Sequence, residues 1–218
     1  MKTSLKPEGS VSDKTRERIL CAAGKIFAHG GYRAMTLREV TQEAKVNLAA
    51  VNYHFGSKTN LMRALLRNRF EPINRQRLER LDDQIAAHAP NPVPLEAIYD
   101  ALFRPLFKGI ESAPVNDTSL MQIIGRALTE PADFMRSLHK EFFAELSQRF
   151  MHEIERACPE LSKEQLQYRF FLSISTMIGT AIEQIRLETI TGGKLDGSNL
   201  DRILQELTAY VVAGFQQK

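Results

Sequence analysis

Apolar residues recur at intervals of three and four along the chain, with no run alternating in the period-two manner of a strand. That pattern predicts an all-α protein of about nine helices. Ile19, Ala23, Ile26 and Phe27 form the stripe of a first helix, capped at Ser12 or Asp13 and ended by Gly30-Gly31. Two short helices follow. Leu37, Val40 and Ala44 share a face of one, and Val51 and Phe55 share a face of the other. Thr36 with Glu39 reads as a capping box, and Asn47 and Ser57 as the next two N-caps. The link Lys45-Val46-Asn47 is so short that the pair must form a tight helix-turn-helix. A residue other than glycine at that turn, if forced to positive φ, costs on the order of 1 kcal/mol.

From Ser57 a long helix is expected to about Leu81. Met62, Leu66, Phe70 and Ile73 form its stripe, and Pro72 predicts a kink or a restart. Arg63, Arg67, Arg69, Arg75, Arg77 and Arg80 lie around the rest, expected to be solvated or paired, while Lys58 at the start faces phosphate. Three prolines between His88 and Pro94 mark a break. Beyond it come Leu95, Ile98, Leu102 and Leu106 on a helix bent at Pro105, then a helix with Leu120, Ile123, Ile124, Ala127 and Leu128. Pro131 opens a long helix with Phe134, Leu138, Phe142, Leu146 and Phe150 at steps of four. Leu166, Phe170, Ile174, Ile178 and Ile182 mark the next. After Gly192-Gly193 the last helix carries Leu200, Ile203, Leu204, Leu207, Val211 and Phe215.

Charge changes the picture once the chain is divided. The net is +3 overall, but residues 1–80 hold 16 Lys and Arg against 7 Asp and Glu, and residues 81–218 hold 13 against 19. A basic head on an acidic body suits a partner with condensed counterions, which is nucleic acid. The outward face of the third helix agrees. With Val51 and Phe55 turned inward it presents Leu48, Ala49, Asn52 and Tyr53: small side chains for close approach, an amide suited to adenine, a phenol suited to phosphate.

Other chemistries find little support. Cys21 and Cys158 make neither a disulfide framework nor a metal spacing, so a reduced, cytoplasmic setting is expected, with Cys21 in the core. No signal peptide opens the chain, and the weakly polar run from Phe170 to Ile182 falls short of the roughly 18 residues of a membrane span. The five histidines are scattered, and His152-Glu153 lacks the second histidine of a zinc helix. Ser137-x-x-Lys140 has nothing else of a serine-lysine site around it. No phosphate loop or dinucleotide fingerprint occurs. An enzyme is disfavoured and no cofactor is expected.

Over residues 14 to 62 the chain resembles the TetR family of bacterial transcriptional regulators. The likeness rests on Arg18-Ile19-Leu20, Ala22-Ala23, Ile26-Phe27, Gly30-Gly31-Tyr32, Met35-Thr36-Leu37-Arg38-Glu39-Val40 and Asn52 through Leu61. Two positions depart from the family pattern: Lys45 stands where glycine is usual, and Asn52 replaces the first tyrosine of a common Tyr-Tyr-His-Phe string. Lys2, Lys6, Pro7 and Gly9 read as a disordered basic arm over 1–11, and the resemblance implies a helix-turn-helix DNA-binding domain over 12–56 and a helical-bundle ligand-binding and dimerisation domain over 57–218. It implies a double-stranded DNA operator, a homodimer and a small hydrophobic effector as partners. Asn116-Asp117-Thr118-Ser119-Leu120, Ala157-Cys158-Pro159 and Val46 through Val51 resemble the branch that senses long-chain fatty acids or their coenzyme A thioesters.

Mapped onto these motifs, base reading falls to Asn47, Leu48, Ala49 and Asn52, and phosphate contact to Thr36, Arg38, Tyr53, His54 and Lys58. Tyr53 could equally pack on the first helix, and His54 could equally cap or pack. A greasy pocket is expected from Phe103, Phe107, Met121, Ile124, Phe142, Phe150, Phe171, Met177 and Ile178. Arg126, His139, Gln184 and Arg186 are the candidates for its polar end. Ile182, Ile185, Leu207, Val211 and Phe215 are expected at a four-helix dimer interface.

Overall fold

The computed structural model describes residues 11–111, 120–130, 133–183 and 186–216, and among these every regular element is an α-helix. Residues 1–10 of the expected basic arm, the stretch 116–119, Pro131, Gln184 and Ile185 lie outside the described residues, as do the side chains of Leu128, Phe134 and His139, while Val11 opens the first helix.

Ten helices are described rather than about nine: α1 Val11–Ala34, α2 Leu37–Ala44, α3 Leu48–Phe55, α4 Lys58–His88, α5 Leu95–Glu111, α6 Leu120–Thr129, α7 Asp133–Ala157, α8 Lys163–Glu183, α9 Arg186–Ile190 and α10 Leu200–Gln216. The unexpected one is α9, whose five residues are too few to show a period. The long helix α4 runs to His88 rather than Leu81 and passes through Pro72, spanning about 46 Å at 1.5 Å per residue.

Helices α1 to α3 and the start of α4 enclose a small core of Ile19, Ala23, Phe27, Met35, Val40, Val51, Phe55 and Leu61. Cys21 is exposed, which corrects its expected place in that core. At about 100° per residue it falls opposite the stripe of Ile19, Ala23 and Phe27. Helix α1 holds its regular geometry as far as Gly31, whose φ of 73° and ψ of −178° break it before a last turn to Ala34.

In the body α4 packs on α5 and α7, α5 on α10, and α8 on α6, α7 and α10. Tyr99, Leu102, Phe103, Phe107, Phe150, Ile154 and Phe215 are buried at its centre. The arginines of α4 are mostly tied down. Arg63 and Arg67 both reach Glu141 of α7, at 3.1 and 2.8 Å, and Arg80 reaches Asp100 of α5 at 2.8 Å. Arg77 departs from the expectation of a solvated or paired residue: it is buried in the body. No described helix is long and apolar enough to cross a membrane.

Candidate nucleic-acid interface and internal cavity

Local chemistry fixes the two short helices. Glu39 N–H donates to Thr36 Oγ1 at 3.2 Å while Glu39 Oε2 accepts from Thr36 N–H at 2.8 Å, closing the capping box. The Thr36 hydroxyl also donates to Glu39 Oε2 at 2.8 Å. Thr36 therefore serves as the cap of α2. These bonds, with the Thr36 hydroxyl first, hold the Glu39 carboxyl below its usual range.

The turn is built on Lys45, which adopts φ 52° and ψ 50°, the left-handed conformation that glycine fills at least cost. Its N–H bonds Gln42 O and that of Val46 bonds Thr41 O, which is a Schellman ending. Arg18 of α1 completes it, with Nη2 donating to Ala44 O at 2.6 Å and to Lys45 O at 2.7 Å. Sequence reading gave Arg18 no role. A basic side chain on the helix next to a helix C-terminus is the signal that was there.

Asn47 Oδ1 accepts from Ala50 N–H at 2.8 Å, which leaves its amino group for a base. Val51 and Phe55 are buried, and Leu48, Ala49 and Asn52 face outward. Tyr53 is 83% exposed, which overturns the alternative of packing on α1. Its ring meets His54 edge-on at 5.2 Å, and half-buried His54 leans on Phe55 at 6.1 Å. Arg38 is exposed on α2. Lys58, in the first turn of α4, sits with its ammonium 4.3 Å from the centre of the Tyr32 ring, and Tyr32 Oη lies 3.0 Å from Thr59 Oγ1. Arg38, Tyr53, His54 and Lys58 thus belong to the same small head as the outward face of α3.

The head is clasped to the body at Gly31. Tyr32 N–H donates to Glu130 Oε2 at 2.8 Å, and Arg126 Nη2 donates to His29 O at 3.0 Å. Arg126, expected at the polar end of a pocket, instead faces this junction.

Inside the body a cavity of about 250 Å³ lies between α4, α5, α6, α7 and α8. Of the expected lining, Ile124, Met177 and Ile178 form part of its wall, joined by Phe70, Phe143 and Phe170. Phe103, Phe107 and Phe150 are spent on solid packing beside it, and Met121 is half-buried against the core but off the wall. Phe142 turns one residue away, into an outer cleft between α4 and α7. Phe171 is 65% exposed on the outer face of α8, which corrects its expected place. It lies one residue past the inward Phe170, about 100° round the helix. Arg186 is exposed and pairs with Glu183 at 2.6 Å.

The expected dimer residues need a similar correction. Leu207, Val211 and Phe215 are buried within the protomer, where they pack α10 into its core. Ile182 is partly exposed on α8. The outward stripe is Tyr168, Phe171, Leu172, Ser175, Gly179 and Ile182 on α8, with Tyr210 and Gly214 beside it on α10.

Residues 100–214 match the description "Tetracyclin repressor-like, C-terminal domain", and residues 19–65 match "Bacterial regulatory proteins, tetR family". The HTH-type transcriptional regulator SrpR of Pseudomonas putida is 34% identical over 62 residues, 28% of this chain and 29% of that protein. The HTH-type transcriptional repressor NicS of Pseudomonas putida is 33% identical over 63 residues, 29% of this chain and 30% of that protein. The matches thus span less than a third of these curated relatives' length. Among solved structures, the fatty acid degradation regulator FadR from Bacillus halodurans superposes with a TM-score of 0.62 at 13% identity, covering 98% of this chain and 100% of that one. HlyIIR, a hemolysin II transcriptional regulator, does so with a TM-score of 0.59 at 17% identity, covering 90% and 98%. At such identities the likeness is one of fold. With both its basic head and more than half of its length accounted for in this way, the chain belongs to the TetR family of DNA-binding bacterial transcriptional regulators.

Proposed function

We propose that the protein is a homodimeric repressor that holds a palindromic operator through two copies of α3 and is released by a small hydrophobic effector in the body. The observation that carries the reading is the outward face of α3. Leu48, Ala49, Asn52 and Tyr53 stand clear of the protein, next to a ring of cationic and phenolic side chains. In this reading Asn47, Leu48, Ala49 and Asn52 meet base edges, and Arg38, Tyr53, His54 and Lys58 meet phosphates. The apolar stripe of α8 with Tyr210 would pair with its own copy as a four-helix bundle, setting the two heads on successive turns of the duplex.

The effector belongs in the cavity, whose wall is apolar apart from Arg77 and Ser147. A fatty acid or acyl-CoA fits that chemistry, and FadR of Bacillus halodurans, which shares the fold, is a regulator of fatty acid degradation. Helix α6 supplies Ile124 and Ala127 to the wall and Arg126 to the clasp on α1, so a ligand that shifts α6 would shift the head. The energy available is the difference in ligand affinity between the two states. A body packed solid would favour the rival reading, a regulator acting through a protein partner without a small ligand. Electrophoretic shift of DNA from the native promoter, with and without fatty acids from octanoate to oleate and their acyl-CoA thioesters, tests the proposal. A shift abolished by at least one of them is expected; a shift unchanged across chain lengths contradicts the effector.

A further inference from the structure

The cavity contains a charge that no described carboxylate neutralises. Arg77 stands on α4 in register with the stripe of Phe70 and Ile73, and only 4% of it reaches solvent. Its guanidinium donates from Nε to Leu102 O at 2.7 Å, from Nη1 to Asn74 Oδ1 at 3.2 Å, and from Nη2 to Met177 Sδ at 3.6 Å. All three acceptors are uncharged, and the last is a thioether, a weak acceptor. Among the described residues no carboxylate pairs with it. Burial lowers its pKa to about 10, far above neutral, so the side chain enters the wall as a cation. A buried charge without a counter-charge is costly. The residue is therefore poorly explained by packing and well explained by a ligand that supplies the missing charge.

We propose that the cavity binds an apolar monocarboxylate as the free acid anion, its carboxylate on Arg77 and its hydrocarbon among Phe70, Phe143, Ile174 and Ile178. Guanidinium and carboxylate form parallel, charge-assisted hydrogen bonds, and the carboxylate would take the donors that now face Met177 Sδ. An alcohol, an amide or a thioester offers no such charge. Size narrows the class further. At about 250 Å³ the space lies just under the ~300–1,000 Å³ of drug-sized pockets, and suits a chain of short to medium length or a single aromatic ring. The inference rests on the cavity being the effector site.

Calorimetric titration of the full chain with octanoate, octanol and octanoyl-CoA tests it. Octanoate is expected to bind at least about tenfold more tightly than the alcohol or the thioester, a gap of about 1.4 kcal/mol. Arg77→Met is expected to lower octanoate affinity by about the same factor and to leave octanol binding unchanged, while Arg77→Lys keeps part of the preference. Octanol or the thioester binding the unaltered chain as tightly as the acid overturns the inference and leaves the effector site standing. That comparison decides the matter even if Arg77→Met fails to fold. Failure of all three, and of oleate, to bind overturns the effector site itself.

Discussion

Gly31→Ala should uncouple the DNA-reading head from the body. Gly31 sits at φ 73°, ψ −178°, a region essentially reserved for glycine, so an alanine there costs about 1–3 kcal/mol in backbone strain alone. The added Cβ would also stand 2.5 Å from Glu130 Oε2 and 3.1 Å from Arg126 Nε. Glu130 must withdraw, and with it goes the 2.8 Å bond from Tyr32 N–H, a charge-assisted bond worth about 1.5–3 kcal/mol. The expected loss is about 2.5–6 kcal/mol by the same reckoning. Urea unfolding of the two single variants and the pair separates the two parts. In a Glu130→Ala background the bond is already absent, so Gly31→Ala should there cost only the strain. An equal cost in both backgrounds refutes the clasp, and a variant as stable as the original refutes the strain as well.

Lys45→Gly should stabilise the protein by about 1 kcal/mol in the same assay, because it removes a left-handed lysine while keeping the Schellman ending. The capping box gives a dependence on pH. Its folded-state pKa lies below the ordinary 4.5, so the stabilisation by Glu39 is complete above that value and is lost as pH falls through the lower folded pKa. The difference in melting temperature between Glu39→Gln and the original should therefore be present near pH 7 and narrow as the pH falls below 4.5. On DNA, Asn52→Ala should relax sequence choice at one position for about 1–3 kcal/mol, and Lys58→Ala should weaken all sequences alike and reduce the salt slope by about 1. Equal losses on every operator for both variants would dissolve the division between reading and anchoring. Phe171→Glu, on the outward stripe of α8, should give a monomer by sedimentation, and an unchanged dimer would place the interface elsewhere.

Much of this was legible because local rules and tertiary packing agree. Thr36, Asn47 and Ser57 cap where their side chains predict, and Val51 and Phe55 face inward as their spacing of four requires. The failures come where neighbouring positions differ by one step round a helix. Phe170 and Phe171 look alike in the chain, yet one lines the cavity and the other faces out. Leu207, Val211 and Phe215 are apolar enough for an interface, but the protomer's own core claims them, and the outward role falls to Tyr210 and Gly214. Arg77 was hidden among six arginines on α4. Its register with Phe70 and Ile73 carried the signal, and only the packing of α5 and α8 over it shows that it is buried. The bond from Tyr32 N–H to Glu130, 98 residues further along the chain, left no local trace at all.

The central claim is that two copies of α3 read duplex DNA, and selection from a random duplex pool at physiological salt tests it most directly. The enriched sequences should be palindromic, with half-sites about one helical turn or a multiple of it apart. Asn52→Ala should select the same palindrome with one position per half-site degenerate. A pool that emerges without enrichment, or with a single asymmetric site indifferent to Asn52, contradicts the claim.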